Sequence, residues 1–273
     1  MKKINNTYIL GAPLGKSDRF RLYRCSTEAE PEKRTLIIKI ASDAVWNADL
    51  DREAFLLEKL SQRAVVLEDE YAKVRDEPGT MLNYQISFPK LVESAVSDKD
   101  GLRFNVLDLS SACDDISELG AVSQFASREL VRIDAGTSVW VMGKLLKFLA
   151  FVHGEGVSVR DLSGDNVLVH RERHYVLVFD FCSALLYPEG VPNGERCEDV
   201  SEAAKTVIGF LGGDPDGGTI PPDKELTDSR YEDTLRDLAS GTVGDALKAH
   251  GEFYDLVDTI WERSFRPFTT HPL

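Results

Sequence analysis

No uninterrupted apolar run of this chain approaches the roughly 18 residues needed to span a bilayer, and no stretch is dense in lysine or arginine. The opening MKKINNTYILGAPLG has two lysines but no continuous apolar segment, which argues against a secretory signal. Lys+Arg number 32 against 46 Asp+Glu, a net charge of −14. Nucleic-acid backbones and anionic membranes carry the same sign, so neither is an expected partner. The four cysteines, at 25, 113, 182 and 197, form no CxxC pair or other zinc spacing. They suit reduced thiols in a cytoplasmic protein better than a disulfide framework. Internal repeats and low-complexity tracts are absent too. What is present is ordinary globular composition, 42% hydrophobic and 29% charged over 273 residues, which excludes wholesale disorder and allows one or two domains.

The first part of the chain reads mainly as strands. Residues 7–25 alternate weakly around Gly11 and Gly15, predicting strand, turn and strand. TLIIKIA (35–41) is β-branched and apolar with one lysine inside it, the pattern of a buried strand. From Asn47 the period changes: Leu50, Ala54, Leu57 and Leu60 recur at helical spacing behind Asp49 and Asp51. Residues 61–90 read as a helical extension and a loop. Residues 91–97 and 102–109 make a hairpin, with Asp-Gly at 100–101 as the turn. Later the texture is helical: a core helix over 139–154, two strands at 166–169 and 174–181, a helix from Asp199 to Leu211, a loop over 212–225 and a last helix over 254–265. The acids of 214–237 read as a polar loop and face, and His170 and His174 as solvated residues beside a turn. Strands followed by helices make an α+β chain with a boundary near 109–114.

The chemistry concentrates in VSVRDLSGDNVLV (157–169) and VLVFDFCSA (176–184). Asp161, Asn166 and Asp180 offer two carboxylates and an amide at a strand-flanked loop, the oxygen ligands that a hard cation such as Mg²⁺ prefers. Lys39 inside a strand and Glu53 on the next helix add a cation able to grip phosphates and a partner to position it. In these residues the chain resembles the protein-kinase superfamily across essentially its whole length. The catalytic-loop pattern is matched as VRDLSGDN, D-F-G as Asp180-Phe181-Cys182, and the lysine strand as Ile37-Ile38-Lys39.

The resemblance implies a bilobal protein kinase-like fold, with a small β-rich lobe over 1–109 carrying one main helix and a larger helical lobe over 110–273. It implies transfer of the γ-phosphoryl group of ATP, with Mg²⁺, to a hydroxyl on a protein substrate, Ser/Thr ahead of Tyr. Asp161 would orient the acceptor hydroxyl and take its proton. Asn166 and Asp180 would hold magnesium, and Lys39, paired with Glu53, would steady the α/β-phosphates. Gly15 would belong to the phosphate-covering loop, and Asp108 and Leu109 to the segment whose backbone meets adenine. Asp199 and His153 match structural residues that support the catalytic loop.

Several positions depart from the family pattern. Val159 stands for the histidine of H-R-D, Ser163 for a lysine, and Cys182 for the glycine of D-F-G. Ser17 and Phe20 stand for two glycines of the loop, and the segment between Asp180 and Asp199 is short. GAPLGKS (11–17) is one residue too short between its glycines to be a Walker A loop. Two other readings therefore stay open: a pseudokinase that binds without transferring phosphate, and a small-molecule kinase of the aminoglycoside or choline type. Arg160 distinguishes this chain from the latter, which usually has glycine there. Glu58, on the same helix, is the competitor of Glu53 for Lys39.

Overall fold

The computed structural model describes residues 3–5, 7–28, 34–74, 82–222, 228–261 and 267–273. The chain divides into two compact units, Met1–Glu118 with Asp180–Ser183, and Leu119–Phe179 with Ala184–Leu273.

In the first unit β1 (Lys3–Ile4), β2 (Tyr8–Lys16), β3 (Phe20–Thr27), β4 (Leu36–Ala41), β5 (Lys90–Val96) and β6 (Arg103–Asp108) form one sheet. Its order is β1-β2-β3-β4-β6-β5, every pair antiparallel. All six residues of β4 are buried, because β3 and β6 flank it and both its faces are covered. Leu36, Ile38 and Ile40 pack with Tyr8, Cys25, Phe104 and Val106 on one face. The two-residue period sends Ile37, Lys39 and Ala41 to the other. That face is covered by α1 (Asn47–Val74), whose Leu50, Glu53, Ala54, Leu57, Leu60 and Ala64 are buried at helical spacing. The expected hairpin is present: Gly101 turns it at φ +71, which glycine adopts without strain. Of the segment read as helix and loop, the helix runs to Val74, and residues 75–81 lie outside the described ones.

The second unit holds β7 (Leu119–Ala121), α2 (Val122–Ser127), β8 (Val131–Ile133), α3 (Ala135–Gly154), β9 (Val157–Ser158), β10 (Val167–His170), β11 (Tyr175–Val178) and β12 (Leu185–Leu186). Then come α4 (Asn193–Phe210), α5 (Ser229–Ala239), α6 (Ala246–Ile260) and β13 (Thr270–Pro272). The strands form three small antiparallel sheets, β11-β10-β7, β12-β9 and β13-β8. Helix α3 is long and apolar enough to span a membrane, at a mean hydropathy of 1.3, but most of it is buried within the protein, as a core helix is.

Three helices begin earlier than their apolar pattern. Asp134 accepts the Thr137 N–H at 2.7 Å and starts α3 at Ala135, ahead of residue 139. Helix α4 begins after Pro192 rather than at Asp199. Asp245 caps α6 at Lys248 N–H, so the last helix occupies 246–260 instead of 254–265, and residues 262–266 lie outside the described ones. For the acids of 214–237, read as a polar loop and face, helix α5 is the face: it buries Tyr231, Leu235 and Leu238 at helical spacing and turns its acids outward. His170 is buried rather than solvated, since β10 is the middle strand of its sheet and the imidazole lies 5.1 Å from the Tyr175 ring. Its partner strand ends at Val178, and the next N–H, of Phe179, is shared between the Asn166 carbonyl and side-chain oxygen, both at 3.1 Å.

Candidate active site

In the first unit the site is built around one ammonium. Lys39 Nζ lies 2.8 Å from Glu53 Oε1 and 2.9 Å from Asp180 Oδ1, and its side chain is 1% exposed. Glu53 is thus the partner; Glu58 faces outward from the same helix. Burial alone would lower the lysine pKa, but the carboxylates of Glu53 and Asp180 outweigh it and hold the ammonium above its ordinary range. The reciprocal holds at Asp180: burial pushes its pKa up, and Lys39 and the Cys182 N–H overcome that and keep it low. The other oxygen of Glu53 accepts from Asn105 Nδ2 at 2.9 Å, and the same amide donates to the Leu50 carbonyl at 2.9 Å. Asn105 stands directly across from Lys39 in the β4–β6 register. The Phe181 N–H also donates to Glu53 Oε1, at 3.2 Å, while the Phe181 ring packs edge-on to Phe88.

Glu53, Asp180 and Cys182 bring three ligand atoms within 4.8 Å of one another, a set able to hold a cation. Lys39 bonds both carboxylates of that set, so their charge is already met. Burial, followed by the Glu53 charge, pushes the Cys182 thiol far up, leaving it protonated and inert.

The remaining first-unit residues are placed as follows. Gly15 lies in β2 opposite Leu22, where a Cβ would have ordinary room. Asp108 ends β6; its carboxylate is held by Arg34 and takes the N–H and hydroxyl of Ser110. The Leu109 N–H donates to Thr35 O at 2.9 Å, and its carbonyl accepts from Ala112 and Cys113. Both backbone groups expected to meet adenine there are therefore engaged inside the unit.

In the second unit one face of α4 grips the loop 159–166. Asp199, Glu202 and Thr206 are three and four residues apart, hence on one side of the helix. Asp199 Oδ2 accepts the Val159 N–H at 3.0 Å and lies 2.9 Å from His153 Nε2, while Oδ1 accepts the Arg160 N–H at 2.8 Å. Glu202 takes the Leu162 N–H at 2.8 Å, and the Thr206 hydroxyl donates to the Leu162 carbonyl at 2.6 Å. So tethered, Arg160 holds φ +62, a left-handed backbone that side chains avoid. Val159 is fully buried. Burial first, and then Asp161 and Asp199, raise the Glu202 pKa.

Asp161 Oδ1 accepts both the N–H and the hydroxyl of Ser163, at 3.2 and 2.7 Å. Asn166 Nδ2 donates to the Asp161 carbonyl at 2.6 Å, and its Oδ1 accepts the Phe179 N–H at 3.1 Å. The side-chain amide thereby ties the loop to the segment leading to Asp180. Asn105 and Glu202 escape a reading of the sequence. Glu202 leaves a trace there, being one helical turn beyond Asp199; Asn105 leaves none.

No family model matches the chain, and no curated protein matches it. Solved structures do. Three crystal structures of mutant forms of the PknI kinase domain of Mycobacterium tuberculosis are similar to it. The first is 17% identical with a TM-score of 0.55, covering 95% of this chain and 97% of that one. The second is 15% identical at a TM-score of 0.56, covering 92% and 96%. The third is 15% identical at 0.54, covering 95% and 97%. Likeness at that identity speaks to architecture: the chain has the fold of a protein kinase domain, α+β with an antiparallel sheet in its N-terminal region and helices in its C-terminal region.

Proposed function

We propose that the protein is an ATP- and Mg²⁺-dependent phosphotransferase acting on protein hydroxyls, Ser/Thr rather than Tyr. The observation that carries this is the buried Lys39, bonded to Glu53 and Asp180 at once, within a kinase-domain fold. A lysine is expensive to bury, and nothing in the packing of β4 demands one; a phosphate grip does.

In this reading Lys39 neutralises the α/β-phosphates and Glu53 fixes its direction. Asp180 and Asn166 present a carboxylate and an amide oxygen, a hard donor set that fits Mg²⁺. Bound Mg²⁺ would neutralise phosphate charge, and ATP would supply the transferred group. Asp161 keeps Oδ1 on Ser163, and its Oδ2 would orient the incoming hydroxyl and accept its proton. Ser163 thus positions the base where a lysine stands in many relatives. Gly15 borders the phosphates and Asp108–Leu109 the adenine, with Leu109's own backbone hydrogen bonds kept inside the unit. Four buried free thiols support a reducing, cytoplasmic place of work.

One feature favours the pseudokinase reading: Lys39 is covered as well as paired. Incubation with γ-labelled ATP, Mg²⁺ and cell lysate decides between them. Label on a defined protein band that Asp161→Ala abolishes supports the proposal. Label on small metabolites moves the assignment to a small-molecule kinase, and no label moves it to the pseudokinase.

A further inference from the structure

The cover over Lys39 comes from the tip of the β2–β3 hairpin. Phe20, where the family's loop carries glycine, is 5% exposed and packs with Ala41, Leu50 and Cys182 and with the partly buried Trp46. Its ring centroid lies 4.7 Å from Lys39 Nζ, so the aromatic face rests against the ammonium. Glu53, Asp180 and this ring all lie against Nζ. A phosphate oxygen would have to come within about 3 Å of Nζ to hydrogen-bond it, and the ring occupies an approach it would use.

The ring is held down by its neighbour. Arg19 Nη2 lies 2.6 Å from Asp49 Oδ2 in the first turn of α1, and Nη1 reaches Ser183 Oγ at 3.5 Å. The guanidinium stacks 5.1 Å from both the Phe20 and Trp46 ring centroids. The Ser42 N–H donates to the Arg19 carbonyl at 2.8 Å, and Ser17 bonds the Phe20 backbone in both directions. One side chain therefore ties the tip to α1 and clamps the ring over the lysine.

We propose that this tip is a latch on the phosphate seat: the Arg19–Asp49 pair keeps Phe20 against Lys39, and nucleotide enters when that pair opens. The inference rests on Lys39 being the phosphate grip. Arg19 and Asp49 are partly exposed, with side chains 35% and 18% accessible, so salt weakens the latch. A kinase domain closed in this way idles until a charged partner or a phosphate draws Arg19 off Asp49.

The test is titration of wild type, Asp49→Asn and Arg19→Met with a fluorescent ATP analogue in Mg²⁺, beside amide hydrogen exchange of residues 17–22. Arg19→Met leaves Asp49 to its second partner, Arg52, at 2.9 Å, and so guards against a folding defect in the first variant. Either variant is expected to exchange faster at 17–22 and to bind the analogue about threefold to fivefold more tightly, the range for losing a partly exposed ion pair. Faster exchange with unchanged affinity overturns the latch and leaves the proposed function standing. Unchanged exchange in both variants overturns the latch as well. Faster exchange with no nucleotide bound by any of the three proteins overturns the proposed function, and the latch's role falls with it.

Discussion

Replacing Asn105 by leucine, of similar volume, strips two donors from the floor of the site. Asn105 is wholly buried, and its Nδ2 supports both Glu53 Oε2 and the Leu50 carbonyl. Leaving a buried carboxylate oxygen without its donor costs about 2–3 kcal/mol, and weakening the Leu50 carbonyl, which keeps its helical partner, costs about 1 kcal/mol. The substitution also removes Asn105 Oδ1, a buried acceptor with no partner among the described residues, which offsets about 1 kcal/mol. The net loss is about 2–3 kcal/mol, a large share of the ~5–15 kcal/mol that holds a domain together. Urea unfolding followed by near-UV signals from the first unit should show the midpoint falling by about 1 M, given a slope of ~1–3 kcal/mol/M. In a Glu53→Gln background the loss should shrink by about 1–2 kcal/mol, because the two residues share one network. A midpoint that hardly moves, or a loss of equal size in both backgrounds, refutes the idea that Asn105 supports Glu53.

Asp199→Asn should destabilise the second unit by about 2–4 kcal/mol, since an amide cannot accept from Val159, Arg160 and His153 together; unfolding curves indistinguishable from wild type would contradict this. Glu202→Gln tests a pH dependence. Because the folded-state pKa of Glu202 is raised, by burial and then by Asp161 and Asp199, its contribution to stability is fully present below the unfolded value of about 4.3 and is lost as pH rises through the folded one. Glutamine still accepts from Leu162 but does not ionise. The variant should therefore match wild type near pH 4 and become the more stable of the two toward neutrality, and a gap that closes as pH rises would overturn the reasoning.

How far the sequence discloses the site depends on what each residue must do locally. Lys39 and Glu53 are legible because each breaks an apolar pattern, a strand in one case and a helical stripe in the other. Asp199 and His153 are legible through the motif alone, and the structure supplies the reason, three donors on one carboxylate. Asn105 is invisible in one dimension: a polar residue at an alternating strand position reads as the wet face of a sheet. Only the register opposite Lys39 turns it inward. Helix α5 is hidden by its polar face, where Ser229, Arg230, Glu232, Asp233, Arg236 and Asp237 outnumber Tyr231, Leu235 and Leu238. The early starts of α3 and α6 come from Asp134 and Asp245, single capping side chains outside the apolar period. At Leu109 the structure adds what no motif carries, backbone hydrogen bonds to Thr35, Ala112 and Cys113 inside the unit.

The proposed function gives Asp180 of the first unit and Asn166 of the second each a part in binding Mg²⁺–ATP. Calorimetric titration of Asp180→Ala and Asn166→Ala with Mg²⁺–ATP, and separately with metal-free adenosine, tests this most directly. Each variant should lose at least about tenfold in Mg²⁺–ATP affinity, ~1.4 kcal/mol, while adenosine binding stays as in wild type. Adenosine affinity falling in step with that of Mg²⁺–ATP, or one of the two variants binding Mg²⁺–ATP as wild type does, would contradict it.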